Sequence, residues 1–426
     1  MNKNRKRSII IILSIIIVSV LVFQFFNKPK QPHLTVIGRL QMTDGLGRQT
    51  AELVDAVRND ISVGVKATDK NKTGLSPEIR EMLKKKHVPM GKVIVYEDCL
   101  GEDGMSFKSV IKDPKNEKSI RIAYSMFESS LIPPSWAAAL NTYFDAVAVP
   151  DQFLIEVYKN SGVTIPIFEL PLGLNLDPFL NAPLKTEKKS PLVFANLSSI
   201  VSRKNQLKLV QAFHTAFGNS PDVKLRLNGR SGDPQYIEAI KNEIRALGLS
   251  NVEFTQIEME KELYFKTFQT IDCYVSLSSG EGFSIQPREA MALGIPVIIT
   301  DSTGQSTICK SFLGRAIPSP NPVPAFYHYY NNHYGLFYDC KTEDVVQALK
   351  DVHQNYDTYL KQGSVAREWV KQYSYSQLKP FYLGLIKPKK IILGDINKIT
   401  LDCLFTNSEE LCKKFSQLLE IPYEKI

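Results

Sequence analysis

The stretch "SSGEGFSIQPREAMALGIPVII", residues 278–299, sets two glutamates, Glu281 and Glu289, around glycines, a proline and an Ala/Met/Leu-rich run. "DCYVSLS" precedes it and "IPVII" closes it, so it reads as the loop and helix joining two buried strands. Pro287 suits a first helical turn, where its missing N–H costs nothing. That placement makes Gln286 the N-cap and Glu289 an N3 acid, stabilised by the helix dipole by about 0.3–1 kcal/mol. Glu281 comes before the cap, between Gly280 and Gly282, and has no such structural duty. Glycines let the backbone approach a ligand, and loop N–H groups ahead of a helix make an anion site suited to a diphosphate. A carboxylate beside an anion site needs another partner, and a sugar or ribose hydroxyl supplies one.

The same strand-and-helix grammar runs outward in both directions. Towards the N-terminus, strands are expected at "HLTVIGRL" (33–40), "SVGVKA", "KVIVYE", "IRIAYSM", "DAVAVP" and "IPIFELP". "QMTDGLG" reads as a turn and "RQTAELVDAVRND" as a helix with Ala51, Leu53, Val54 and Val57 on one face. Residues 171–191, with four prolines and little periodicity, read as a linker. Strands then resume at "LVFANLS", "VKLRLNG", "VEFTQI", "DCYVSLS" and "IPVIITD". This alternation predicts an α/β chain of two Rossmann-like domains, each a parallel sheet wound by helices, facing across a cleft. Ligands in such folds sit beyond the carboxyl ends of the strands. The expected divisions are 1–30 (basic segment and anchor), 31–180, 181–385 and a C-terminal helical extension over 386–426.

A chain of 426 residues exceeds what one hydrophobic core usually serves, which agrees with two domains. The net charge of +8 is concentrated at the start: residues 1–30 carry six of the 52 bases and no acid, leaving 46 bases against 44 acids. The globular part is nearly neutral and shows no basic stripe, which argues against a nucleic-acid partner. "IIIILSIIIVSVLVFQFF" (9–26) is eighteen uncharged residues, about 27 Å as a helix, enough to cross a bilayer once. No small-residue cleavage pattern follows, so a retained anchor is expected rather than a signal peptide. The positive-inside rule keeps the N-terminus cytoplasmic. It sends the rest of the chain to the other side, whereas nucleotide sugars are found both in cytosol and in secretory lumen, so the side that holds the catalytic domain stays open. The six cysteines lack C-x-x-C or zinc spacing and read as buried thiols.

Here the sequence resembles a GT-B glycosyltransferase of family 4. That family's signature is a glutamate, seven residues and a second glutamate, then an alanine-rich helix and "G-x-PV", matched by Glu281, Gly282, Phe283, Glu289, Ala290, Met291, Ala292, Gly294, Pro296 and Val297. "TDGLGRQTAEL", "SMFESSLIPPSW", "VPDQF", "ELPLGLNLDPF" and "SRKNQLKLVQAF" resemble further family blocks. The resemblance implies that Glu281 contacts the donor sugar near the reacting carbon and that Glu289 contacts the ribose. Lys204, with Arg203, would hold the diphosphate, Gly45 and Gly47 would admit it, and Gly282, Phe283 and Ser284 would complete the donor site. Two blocks depart from the pattern: "ANLSSIV" lacks an extra arginine, for which Arg230 is the expected substitute, and "DSTGQSTI" lacks the usual glycines and glutamate.

No Asp-x-Asp occurs, so Lys and Arg in a closed cleft are expected to stabilise the leaving group without a metal or other cofactor. "GLGRQT" lacks the third glycine of a dinucleotide fingerprint, and neither H-E-x-x-H nor G-x-S-x-G is present. The aromatic run "FYHYYNNHYGLFY" (326–338) is read as core or interdomain packing. The resulting expectation is a membrane-anchored, retaining glycosyltransferase. Its donor is a nucleotide-diphosphate sugar and its acceptor a carbohydrate, lipid or protein hydroxyl. A sugar-nucleotide epimerase and a non-catalytic sugar-binding member are the alternatives.

Overall fold

The computed structural model describes residues 30–85, 88–395 and 397–426. The apolar segment 9–26 lies outside them; among the described residues no helix is long and apolar enough to cross a membrane.

Two six-stranded parallel sheets form the two halves. The first contains β1 (Leu34–Gly38), β2 (Val63–Ala67), β3 (Val93–Glu97), β4 (Ile120–Tyr124), β5 (Ala146–Val149) and β6 (Ile167–Glu169), in the order β2-β1-β3-β4-β5-β6. The second contains β7 (Leu192–Asn196), β8 (Val223–Asn228), β9 (Val252–Thr255), β10 (Cys273–Ser276), β11 (Val297–Asp301) and β12 (Arg315–Pro318), in the order β12-β11-β10-β7-β8-β9. "LTVIG", "VIVYE", "LVFAN" and "CYVS" are buried at every position, as strands covered by helices on both faces must be. In each sheet the first strand is flanked by strands reached in opposite directions, β2 and β3 around β1, β8 and β10 around β7. A crevice opens beyond the carboxyl ends at such a point. The loops after β7 and β10 meet at this crevice, which is why residues 203–204 and 281 are neighbours.

Helix Gly45–Val57 follows β1, and Asp44 caps it by accepting from the Gly47 N–H at 2.7 Å. The expected turn 41–47 therefore ends at Asp44. Gly47 is buried in the first helical turn, where a Cβ would strike Gln41, so packing alone already requires a glycine there.

After β12 a hairpin, β13 (Asn321–Tyr327) and β14 (Asn332–Asp339), reaches back to the first domain. The Ser130 N–H donates to Leu336 O at 3.1 Å, the Ser129 hydroxyl donates to Tyr334 O at 2.6 Å, and Tyr327 stacks on Phe127 with centroids 4.7 Å apart. The aromatic run is interdomain packing, as expected, although Tyr329 at the tip is exposed.

The C-terminal expectation needs correction. Residues 386–426 form β15 (Lys390–Leu393), β16 (Lys398–Thr400), β17 (Cys403–Thr406) and β18 (Tyr423–Lys425), in the order β16-β17-β15-β18, with one helix, Glu409–Leu419. The extension is a small mixed sheet, because "KIIL" and "CLFT" are short runs rich in apolar residues, and Gly394 follows the first of them. Lys414 binds Asp145 at 2.7 Å, docking this unit on the first domain. Helix Tyr375–Ile386 also returns there: the Tyr382 hydroxyl receives the Gly173 N–H at 2.9 Å and donates to Pro171 O at 3.0 Å. The second domain thus ends before residue 385. Of the six thiols, Cys99 and Cys403 are partly exposed rather than buried, and all six are free.

Candidate active site

Glu281 stands in the loop after β10, its backbone held at both ends by the segment after β11. Its N–H donates to Thr303 Oγ1 at 2.8 Å and its carbonyl accepts from the Gly304 N–H at 2.9 Å. Its buried carboxylate forms an ion pair with Lys204 and lies 3.4 Å from Arg203 Nη1. Burial works to raise the carboxyl, but Lys204 and Arg203 prevail and hold it below the usual carboxylate range. For Lys204, burial prevails over Glu281 and lowers the ammonium. The two bases occupy a 3-10 turn, Ser202–Lys204, ended by the left-handed Asn205 (φ 56°) before helix Gln206–Phe217 begins. They are partly buried and turned to Glu281 rather than solvated at a helix start. Residues 203, 204 and 281, separated in sequence, are one cluster.

The helix after this loop runs Ile285–Ala292, with Ser284 at φ 73° as its N-cap. Gln286 is not the cap, and Glu289 lies one residue beyond the first turn, where the unpaired N–H groups end. Glu289 is fully buried and accepts from Arg48 Nη2 at 2.7 Å and from the Tyr264 hydroxyl at 2.5 Å. Its charge is therefore met by a side chain of the other domain and a neighbouring tyrosine. Burial works against the Arg48 charge, but Glu289 and Glu52 outweigh it and hold the guanidinium well above its ordinary range.

Phe283 points into the core. Its ring and that of Tyr373 flank the buried Arg288 guanidinium at 3.8 and 4.5 Å, and Arg288 holds the carbonyls of Phe283 and Ser284. That leaves only the Phe283 backbone available to a ligand. Among the described residues the N–H groups of Gly282, Phe283 and Ser284 donate to no protein acceptor, which leaves donors free at a helix start, where anions are commonly held. The Ser284 hydroxyl is tied to Gln305 Nε2 at 3.0 Å; Gln305 also binds Ser276 at 2.6 Å and Thr300 at 2.7 Å. The altered block "DSTGQSTI" is thus the brace of the Glu281–Ser284 loop.

Beside this cluster a cavity of about 170 Å³ lies between the domains, lined by Gly45, Arg48, Ser198, Asn228, Arg230 and Tyr264, among others. Arg230, on the loop after β8, reaches Asp44 at 3.5 Å and Thr43 at 3.1 Å. Sites for drug-sized ligands usually enclose roughly 300–1,000 Å³, so this cavity is a narrow part of the interdomain cleft. Three ion pairs cross it: Arg48–Glu289, Arg230–Asp44 and Arg203–Glu128, the last at 3.0 Å. Arg48 and Glu128 were not singled out from sequence, although both fall in quoted blocks, "TDGLGRQTAEL" and "SMFESSLIPPSW". Thr303 and Gln305 fall in the altered block "DSTGQSTI", and Tyr264 carries no local signal. Among the described residues, no three His, Cys, Asp or Glu side chains come together to hold a metal ion.

Two parallel-sheet domains with an Arg/Lys–Glu cluster at the switch point of the second define the GT-B class. Residues 181–324 match the family described as "Glycosyl transferases group 1", so the second domain, with Lys204, Glu281 and Glu289, is a group 1 glycosyltransferase domain. The chain is 28% identical over 148 residues to the uncharacterized glycosyltransferase MJ1059 of Methanocaldococcus jannaschii, 34% of each chain. It is 31% identical over 161 residues to the poly(glycerol-phosphate) alpha-glucosyltransferase of Bacillus subtilis, 37% of this chain and 22% of that one. These matches span about a third or less of either relative. The crystal structure of Anabaena Alr3699/HepE in complex with UDP and glucose superposes with a TM-score of 0.57 at 11% identity, covering 82% of this chain and 97% of that one, and shares its fold.

Proposed function

We propose that this chain transfers a sugar from a nucleoside-diphosphate sugar to a hydroxyl of a carbohydrate, lipid or protein acceptor, with retention of configuration and without a metal, as a family 4 enzyme. The observation that carries this reading is the convergence of Lys204 and Arg203 on Glu281 at the start of helix Ile285–Ala292. Splitting a sugar–diphosphate bond builds negative charge on the departing phosphate. Two partly buried cations and unpaired loop N–H groups are placed to receive it, and preorganised charges of this kind are the largest single source of rate enhancement in many enzymes. Glu281, held by Thr303 and Gly304, then faces the sugar. Glu289 serves the ribose once Arg48 yields. The bond from the anomeric carbon to the diphosphate breaks as the acceptor oxygen bonds on the same face, and the hydroxyl proton leaves on the phosphate oxygen.

The alpha-glucosyl product in the name of the Bacillus subtilis relative supports retention, and the UDP in the Anabaena complex makes UDP-sugars the first donors to try. Residues 9–26 hold the enzyme at a membrane, with the N-terminus cytoplasmic. The test is incubation of the full-length chain with UDP-, GDP- and ADP-glucose, with and without EDTA, following nucleotide release and the anomeric configuration of the product. Release that survives chelation is expected. Release abolished by EDTA and restored by Mn²⁺, an inverted product, or no release from any donor would count against the reading.

A further inference from the structure

Resting on the donor site just described, we propose that Glu128 receives the acceptor, its carboxylate taking the hydrogen bond of the attacking hydroxyl. Glu128 lies on the loop after β4, in the domain that supplies neither Lys204 nor Glu281. Yet one guanidinium joins the two carboxylates: Arg203 Nη2 is 3.0 Å from Glu128 Oε1, and Arg203 Nη1 is 3.4 Å from Glu281 Oε2. The glycines flanking Glu281 make this approach possible. A Cβ on Gly280 would collide with the Glu128 carbonyl oxygen, and one on Gly282 would lie 3.0 Å from Met126 Cβ. Their small size therefore lets the 126–128 loop close over Glu281, in addition to admitting a ligand.

That loop is held firmly. The Tyr327 hydroxyl donates to Glu128 Oε2 at 3.3 Å while its ring stacks on Phe127, and the hairpin β13–β14 binds Ser129 and Ser130 just beyond. The Glu128 side chain is itself 29% exposed, so a hydroxyl can reach it from solvent. When a diphosphate takes Arg203, Glu128 keeps Tyr327 on one oxygen and loses the cation on the other. An oriented carboxylate oxygen beside the reaction centre then lacks a partner, and a hydroxyl donor fills the vacancy. The carboxylate orients that hydroxyl and ends the reaction unchanged, the proton passing to the phosphate oxygen as above. In the absence of donor, the same carboxylate holds Arg203, so an arriving diphosphate must displace it.

This double role separates Glu128 from a merely structural contact. The experiment compares full-length wild type with Glu128→Gln and Glu128→Asp, using calorimetric binding of UDP, GDP and ADP and hydrolysis of their glucose conjugates, where water is the acceptor. Thermal melting of each variant reports folding. Glu128→Gln should bind the accepted nucleotide several-fold more tightly, because Arg203 is freed, while its turnover falls about 10²-fold, the scale of losing substrate orientation. Glu128→Asp should recover part of the turnover. Tighter binding with turnover unchanged would make Glu128 a latch only and overturn the proposal, as would unchanged binding and turnover in a folded variant. Wild type that neither binds a nucleoside diphosphate nor splits any donor would instead overturn the donor-site reading beneath it.

Discussion

Glu289 accepts from Arg48 at 2.7 Å across the two domains, although the residues are 241 positions apart. The pair closes the cleft over a carboxylate with no exposed surface. Removing one partner of a buried pair leaves an uncompensated charge, which costs about 3–5 kcal/mol. Arg48→Ala should therefore destabilise more than Glu289→Gln, which stays neutral and retains the Tyr264 contact. Denaturant midpoints check this, and equal losses would mean that the pair is not closed in solution. Glu289→Gln should also raise donor KM.

Removal of the charges at the centre should act on turnover. Glu281→Gln keeps its shape and loses the interaction that strengthens in the transition state, so kcat should fall far more than donor KM rises. Lys204→Ala should cost on the order of 10² in turnover. Steady-state kinetics with varied donor check both, and wild-type kcat in Glu281→Gln would remove it from the reaction.

The brace under Glu281 has its own signature. Thr303→Val keeps the shape and deletes the acceptor of the Glu281 N–H. Turnover should drop while the melting temperature shifts little, since one lost hydrogen bond is worth about 1 kcal/mol. A large melting shift with normal kcat would assign Thr303 to stability alone.

Stability should depend on pH through Glu97, a fully buried carboxyl at the end of β3. Gln49 donates to one of its oxygens at 2.7 Å, and the other has no partner among the described residues. Burial pushes it up to about 8 from 4.5, with Gln49 a weaker opposing influence. The folded state thus keeps a proton that the unfolded chain releases, and this contribution to stability is lost as pH rises from about 4.5 through about 8. Glu97→Gln should flatten the wild-type decline over that window. Parallel pH profiles of the two melting temperatures would refute the assignment.

Much of this architecture is written locally. The buried strands, the helix after β1 and the Glu281/Glu289 spacing follow from apolar periodicity and from glycine and proline placement, which act between chain neighbours. The partners of the site do not. Arg203 meets Glu128 75 residues away and Arg48 meets Glu289 241 residues away only because crossovers and the return of the chain press the two sheets together. A spacing rule could make Glu289 a cap, since capping is a short-range hydrogen bond; only tertiary packing shifted the helix start to Ile285 and turned that carboxylate toward another domain. Phe283 likewise matches a donor motif in sequence, yet its ring faces inward because Arg288 and Tyr373 stand behind it, and no neighbour in the chain specifies Tyr373.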